Sequence, residues 1–111
     1  MVWKEGFHGN AIGAMAISSN IPRKVPSECF QLDDIWWPTP AYAYRYTEPD
    51  ESEEDFTKRL LTEIDAHFRN LGPDNVAAFM AETVVGATIG CTTAPAGYFK
   101  GVREICDTAS S

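Results

Sequence analysis

The residues best able to do chemistry lie in two short segments that are far apart in the sequence. The first is Phe7-His8-Gly9, which combines a flat aromatic face, an imidazole and a glycine. The second is Glu82, which follows the apolar run 76–81. A carboxylate at the C-terminal end of a buried strand lies where α/β sheets bind ligands, and a partly desolvated carboxylate needs a partner. On their residues alone, both segments are also typical of ordinary structure: a core phenylalanine beside a polar histidine, and an exposed glutamate just past a strand.

The clearest element that could position these segments is a helix predicted over 52–71. Ser52 followed by Asp55 resembles a capping box, and Gly72 with Pro73 supplies a stop signal. Apolar residues recur between these signals at helical spacing. They are Phe56, Leu60, Ile64, Phe68 and Leu71. The pattern therefore predicts an amphipathic helix.

A β-strand is predicted over 76–82, because an apolar run of this kind is typical of a strand covered on both faces in a parallel sheet. A glycine-containing loop to Ala96 follows, and then a second amphipathic helix is predicted over 97–107. The order helix, strand, helix predicts an α/β fold with helices around parallel strands. A parallel strand needs neighbours on both edges, and the sequence offers no second strand of comparable quality. The pattern therefore favours a fragment of a larger domain.

The segment 20–50 is predicted to be a proline-rich loop. It holds most of the prolines of the chain, and proline both lacks an N–H group and fixes φ. Such a long irregular segment is more typical of a surface excursion on a larger protein than of a compact small domain. Its Trp36 and Trp37 could face a substrate, but aromatic residues in such a loop are more typical of packing. Before the loop, the small apolar residues 9–18 predict a short helix.

Composition argues against several classes of function. The formal net charge of −7 opposes nucleic-acid binding, which depends on basic groups. The longest apolar stretch, 76–91, is interrupted by Glu82 and is too short for a membrane helix. No secretory leader is recognisable, and three cysteines without a close pair favour reduced thiols in the cytoplasm, with the mitochondrion not excluded. His8 and His67 lack the spacing of metal ligands, so no metal site is predicted.

The order and spacing of many short motifs resemble the class III aminotransferases, the pyridoxal-phosphate enzymes of fold type I. Besides Phe7-His8-Gly9 and Glu82, further matching segments recur in the same order. They lie at 20–23, 44–46, 51–54, 71–74, 97–99 and 103–107. Two positions depart from the family pattern: Ala11 stands where a threonine is usual, and Thr83 stands where a proline is usual.

This resemblance implies a fragment of the cofactor-binding large domain, truncated at both ends, of an enzyme that transfers an amino group from an amine or amino acid donor to a keto acid. It implies pyridoxal 5'-phosphate as the cofactor, with Phe7 stacked on the pyridine ring and His8, Gly9 and Glu82 beside it. It also implies a homodimer for the parent enzyme.

The same resemblance predicts no catalytic residue in this chain. The Schiff-base lysine of the family has no match, because the four lysines align elsewhere and are typical of surface positions. The isolated chain is therefore expected to be inactive. Two other interpretations stay open: a non-catalytic interaction module that docks on a full-length paralogue, and an unrelated small acidic α/β protein. The sequence does not predict the amino donor.

Overall fold

The computed structural model describes residues 1–2, 4–19, 25, 32 and 34–109. The helices of these residues are α1 (Ile12–Ile17), α2 (Ala43–Tyr46), α3 (Glu53–Leu71) and α4 (Tyr98–Ala109), with a 3-10 turn at Pro73–Asn75. Two short strands, β1 (Val84–Val85) and β2 (Thr92–Thr93), lie between the turn and α4. No helix in the described part of the chain is both long and apolar enough to cross a membrane.

The long helix α3 begins one residue after the predicted start, because Ser52 is its N-cap. The Ser52 Oγ accepts a hydrogen bond from the Asp55 N–H at 3.1 Å and donates one to Asp55 Oδ2 at 2.7 Å. Such a cap satisfies an N–H group that the first helical turn leaves without a partner. The helix ends before Gly72, whose φ of +80° is readily adopted by glycine.

The second long helix, α4, runs along α3 and closes the hydrophobic core. Tyr98 and Val102 of α4 are buried against α3, and Val85 of β1 joins them. At the crossing, Gly101 lies directly against Leu61 of α3. The buried apolar residues of this core are Ala41, Phe56, Leu60, Ile64, Phe68, Val85, Tyr98 and Val102.

The strand predicted over 76–82 requires correction. In the described residues this segment forms only an isolated parallel bridge, between Met80 and Val2, in which the Met80 N–H donates to the Met1 carbonyl at 2.9 Å. Met80, Ala77 and Ala78 are exposed, so the segment is not covered on both faces. A continuous ladder needs a neighbouring strand along its whole length, and the described residues supply one only at residues 1–2.

The loop predicted between Glu82 and Ala96 also requires correction, because part of it forms an antiparallel pair. Val84 of β1 lies opposite Thr93 of β2, and Val85 lies opposite Thr92. The connection is a tight turn in which the N–H groups of Gly90 and Cys91 both donate to the Gly86 carbonyl. The only regular sheet of the described residues is therefore antiparallel rather than parallel.

The predicted loop 20–50 falls largely outside the described residues over 20–33. Its later part is not wholly irregular, because α2 occupies Ala43–Tyr46. The residues before α2 are held on α3 by two contacts: Trp36 stacks on His67 with ring centroids 3.6 Å apart, and the Thr39 N–H donates to Glu63 Oε1 at 2.9 Å. The short helix predicted over 9–18 is observed as α1.

Candidate functional site

The two segments singled out in the sequence meet in the structure. The Phe7 N–H donates a hydrogen bond to Glu82 Oε1 at 2.7 Å, although 75 positions separate these residues. The parallel bridge between Val2 and Met80 brings their two chain segments side by side. Phe7 and Glu82 are both half-buried, so the bond gives a partly desolvated carboxylate the partner that it needs.

The loop before α1 is tied back to the end of that helix through two serines. The His8 N–H donates to Ser18 Oγ at 2.8 Å, and the Ser18 hydroxyl donates to the Ala14 carbonyl at 2.8 Å. Ser18 is only 1% exposed. The Glu5 N–H donates to Ser19 Oγ, so consecutive serines hold the loop at two points.

Gly9 lies where the loop passes closest to α1. Its φ is +128°, a conformation that side chains rarely allow, and an added Cβ would lie 3.0 Å from the Cβ of Ala14. The backbone at Gly9 therefore lies close to α1 of the same chain.

One buried polar atom of the site, Nε2 of His8, has no hydrogen-bond partner among the described residues. Buried polar groups are usually hydrogen-bonded. This nitrogen can donate or accept according to the tautomer of the ring, so the site retains capacity to bind a polar group.

Several residues that support the site were not assigned to it from the sequence. Trp37 donates from Nε1 to the Ile17 carbonyl at 3.1 Å, so this tryptophan contributes to packing at the end of α1. The Tyr46 hydroxyl donates to Glu5 Oε1 at 3.1 Å, and burial together with the Glu5 carboxylate raises the pKa of Tyr46. Of these contacts, only the tryptophan-packing interpretation had a signal in the sequence.

The described lysines are all exposed, two of them on α3 and α4 and one in the loop before α1. Lys58 pairs with Glu54 at 2.8 Å, Lys100 lies 3.9 Å from Glu104, and Lys4 is exposed. No group of three or more His, Cys, Asp or Glu side chains in the described part of the chain could hold a metal ion. The residues described at the site offer stacking and hydrogen bonding.

Comparison with known proteins places this geometry in a family context. The sequence profile of the class-III aminotransferases matches residues 1–110. An uncharacterised aminotransferase of Schizosaccharomyces pombe is 41% identical over 104 residues, and an aminotransferase of Gibberella zeae is 39% identical over 106 residues. Each alignment covers 94% of this chain but only 23% and 21% of the respective relative. The chain thus spans less than a quarter of the length of these curated relatives.

Solved structures agree with the sequence comparison. An omega-aminotransferase from Paracoccus denitrificans superposes with a TM-score of 0.89 at 26% identity, over 98% of this chain and 24% of that one. The PMP-bound form of an aminotransferase from Vibrio fluvialis superposes with a TM-score of 0.87 at 26% identity, over the same shares of the two chains. These matches confirm the resemblance that the motifs indicate and the α/β architecture of fold type I.

Proposed function

This chain belongs to the class-III aminotransferase family, and we propose that it forms the part of a pyridoxal-phosphate-dependent transaminase that holds one side of the cofactor ring. The observation that carries this proposal is the 2.7 Å hydrogen bond from the Phe7 N–H to Glu82 Oε1. It joins the two segments whose residue types suit a flat, polar, heteroaromatic ligand. The activity is the transfer of an amino group from an amine or amino acid to a keto acid.

The residues of the site fit pyridoxal 5'-phosphate. Phe7 offers a flat face for the pyridine ring, and His8 offers a buried Nε2 that lacks a partner among the described residues. Gly9 keeps the loop close to α1, because a Cβ there would crowd Ala14. When bound, the cofactor supplies the electron sink for amino transfer, and the protein supplies binding and orientation.

Glu82 has a more specific part in this arrangement than a carboxylate that only faces the cofactor. Its Oε1 accepts the Phe7 N–H, so it fixes the backbone from which the stacking ring projects. A hydrogen bond to an ionised acceptor is shorter and stronger than one between neutral groups. Glu82 therefore orients Phe7, while Phe7 and His8 contact the cofactor.

Lys58 and Lys100 are engaged with glutamates on exposed helix faces, so we propose that residues 1–111 alone do not catalyse amino transfer. For the full-length enzyme we propose a homodimer, in line with the family resemblance. We also propose a cytoplasmic location, with the mitochondrion as the alternative, because the described Cys91 is a free thiol.

The test is a stacking variant in the full-length enzyme that carries this segment. Phe7→Leu keeps an apolar side chain but removes the π face, so cofactor dissociation should become faster by about two- to tenfold. Tyr44→Leu is the matched control, because Tyr44 is an aromatic residue that is 90% exposed. Cofactor dissociation and the amino-transfer rate are measured for both. Equal retention of cofactor in the two variants would remove Phe7 from the site.

A further inference from the structure

Two consecutive amide groups of the loop before α1 are each held by a side chain from elsewhere. The Phe7 N–H donates to Glu82 Oε1 at 2.7 Å, and the His8 N–H donates to Ser18 Oγ at 2.8 Å. The orientation of both peptide units is therefore determined by side chains outside the loop.

Ser18 is suited to this task by its surroundings. A hydroxyl has one proton and two lone pairs; the Ser18 proton is directed to the Ala14 carbonyl at 2.8 Å, which leaves the oxygen to accept from His8. Ser18 is 1% exposed, so bulk water has little access to replace the hydroxyl. The Ala14 carbonyl also accepts the backbone N–H of Ser18 at 3.1 Å. Loss of the hydroxyl would thus leave the His8 N–H as the group without a partner.

We propose that Ser18 is a positioning residue for the cofactor site, acting with Glu82 as a two-point clamp on the Phe7-His8 backbone. This inference rests on the proposed function and deepens it. The two bonds hold the peptide planes on either side of the Phe7 Cα, and with them the direction of the aromatic ring and the position of the backbone that carries the imidazole. Small misplacement of such groups has large effects on binding and catalysis.

Thr57 provides a matched control for the structural part of the effect. It is buried at 6% exposure, and its hydroxyl donates to the Glu53 carbonyl at 2.8 Å, as Ser18 does to Ala14. It lies in α3, and it makes no hydrogen bond to the described residues of the loop before α1. Loss of either hydroxyl affects stability, but only loss of the Ser18 hydroxyl releases the clamp.

The experiment compares Ser18→Ala with Thr57→Ala in the full-length enzyme. The melting temperature, kcat and KM of each variant are measured. Cofactor affinity is measured by titration with pyridoxal phosphate, which is followed through its absorption and its induced circular dichroism. We expect both variants to melt at lower temperature. Only Ser18→Ala should bind the cofactor more weakly, by about tenfold, since an unsatisfied buried N–H is costly, and its induced circular dichroism should change. Equal cofactor affinity and spectra for the two variants would overturn the inference.

A second pair of variants decides the matter if Ser18→Ala fails to fold. Glu82→Gln keeps an oxygen that can accept the Phe7 N–H, whereas Glu82→Ala does not. The clamp predicts that Glu82→Gln retains the cofactor better than Glu82→Ala, and equal loss in the two would contradict it. If the unmodified enzyme itself binds no pyridoxal phosphate, the proposed function is wrong. If the unmodified enzyme binds the cofactor and Ser18→Ala binds it equally well, only the role of Ser18 is wrong.

Discussion

A methyl group added at Gly101 would test the contact by which α4 lies on α3. The Cβ of an alanine there would fall 2.3 Å from Leu61 Cδ1, 2.8 Å from Cδ2 and 3.1 Å from Cγ. All three distances are shorter than an ordinary carbon–carbon contact of about 3.5–4.0 Å. Since the three outer carbons of Leu61 are all too close, exchanging the positions of its two methyl groups does not relieve the overlap.

Two opposing effects set the size of the change. Alanine is favoured over glycine inside a helix by ~1 kcal/mol, while extra methyl groups in a packed core typically cost ~1–3 kcal/mol. The overlap is severe, so we expect Gly101→Ala to lower the free energy of unfolding by about 1–2 kcal/mol. Gly13→Ala in α1 is the control, because its added Cβ meets nothing within 4 Å; it should be neutral or stabilising by up to ~1 kcal/mol.

A double-mutant cycle with Leu61→Ala separates the overlap from other effects. Denaturant unfolding of the full-length enzyme is measured for both single variants and the double variant. Truncation of Leu61 creates room for the methyl group, so Gly101→Ala should cost ~1–2 kcal/mol less in that background. Strict additivity, or a Gly101→Ala variant as stable as Gly13→Ala, would refute the assignment of this crossing as a tight contact.

Two further predictions concern the loop before α1 and the start of α3. Gly9→Ala places a side chain at a φ of +128° and near Ala14, so it should destabilise the protein by about 1–3 kcal/mol and weaken cofactor binding. Thermal melting and cofactor titration measure these two effects. An unchanged melting temperature would contradict the strained geometry at Gly9. Arg59 donates from two nitrogens to Glu51 and lowers the pKa of that carboxyl from 4.5 to about 2. Because the pKa of Glu51 is lower in the folded state than in the unfolded state, the pair stabilises the folded protein fully above pH 4.5. This stabilisation is lost as the pH falls through 2. As the pH is lowered from 4.5 to about 2, the melting temperature should therefore fall more for the unmodified protein than for Glu51→Gln. An equal fall of the melting temperature in the two proteins would argue against the pair.

The elements that could be predicted from the sequence are those whose signals are local. Helix α3 carries its own cap at Ser52, its own stop at Gly72 and an apolar face of four buried residues between them. Its bounds therefore lie within one residue of the prediction. The strand predicted over 76–82 depended on partners elsewhere in the sequence. The local pattern could not reveal that, in the part of the chain that the structure describes, only Val2 would pair with it.

The hairpin and the clamp were missed for related reasons. Strands of two residues, such as Val84–Val85, are too short to show the alternation by which strands are recognised. Ser18 and Ser19 are ordinary small polar residues in the sequence, and their value appears only when the loop folds back and places the amide groups of Glu5 and His8 above them. The motif residues Phe7 and Glu82 could be singled out because their residue types and order carry meaning without a structure.

The contact between Phe7 and Glu82 couples the site to the pairing register of the fold. Glu82 follows the bridge residue Met80 by two positions, and successive side chains of an extended chain point to opposite faces. A slip of one residue at the bridge between Val2 and Met80 would therefore turn the Glu82 carboxylate away from the Phe7 N–H. The clamp on the loop then loses one of its two points, while Ser18 still holds the His8 N–H. Correct pairing at the bridge between Val2 and Met80 is thus a condition for the correct orientation of the Phe7 ring. Cofactor binding therefore depends on a bridge that the local sequence does not determine.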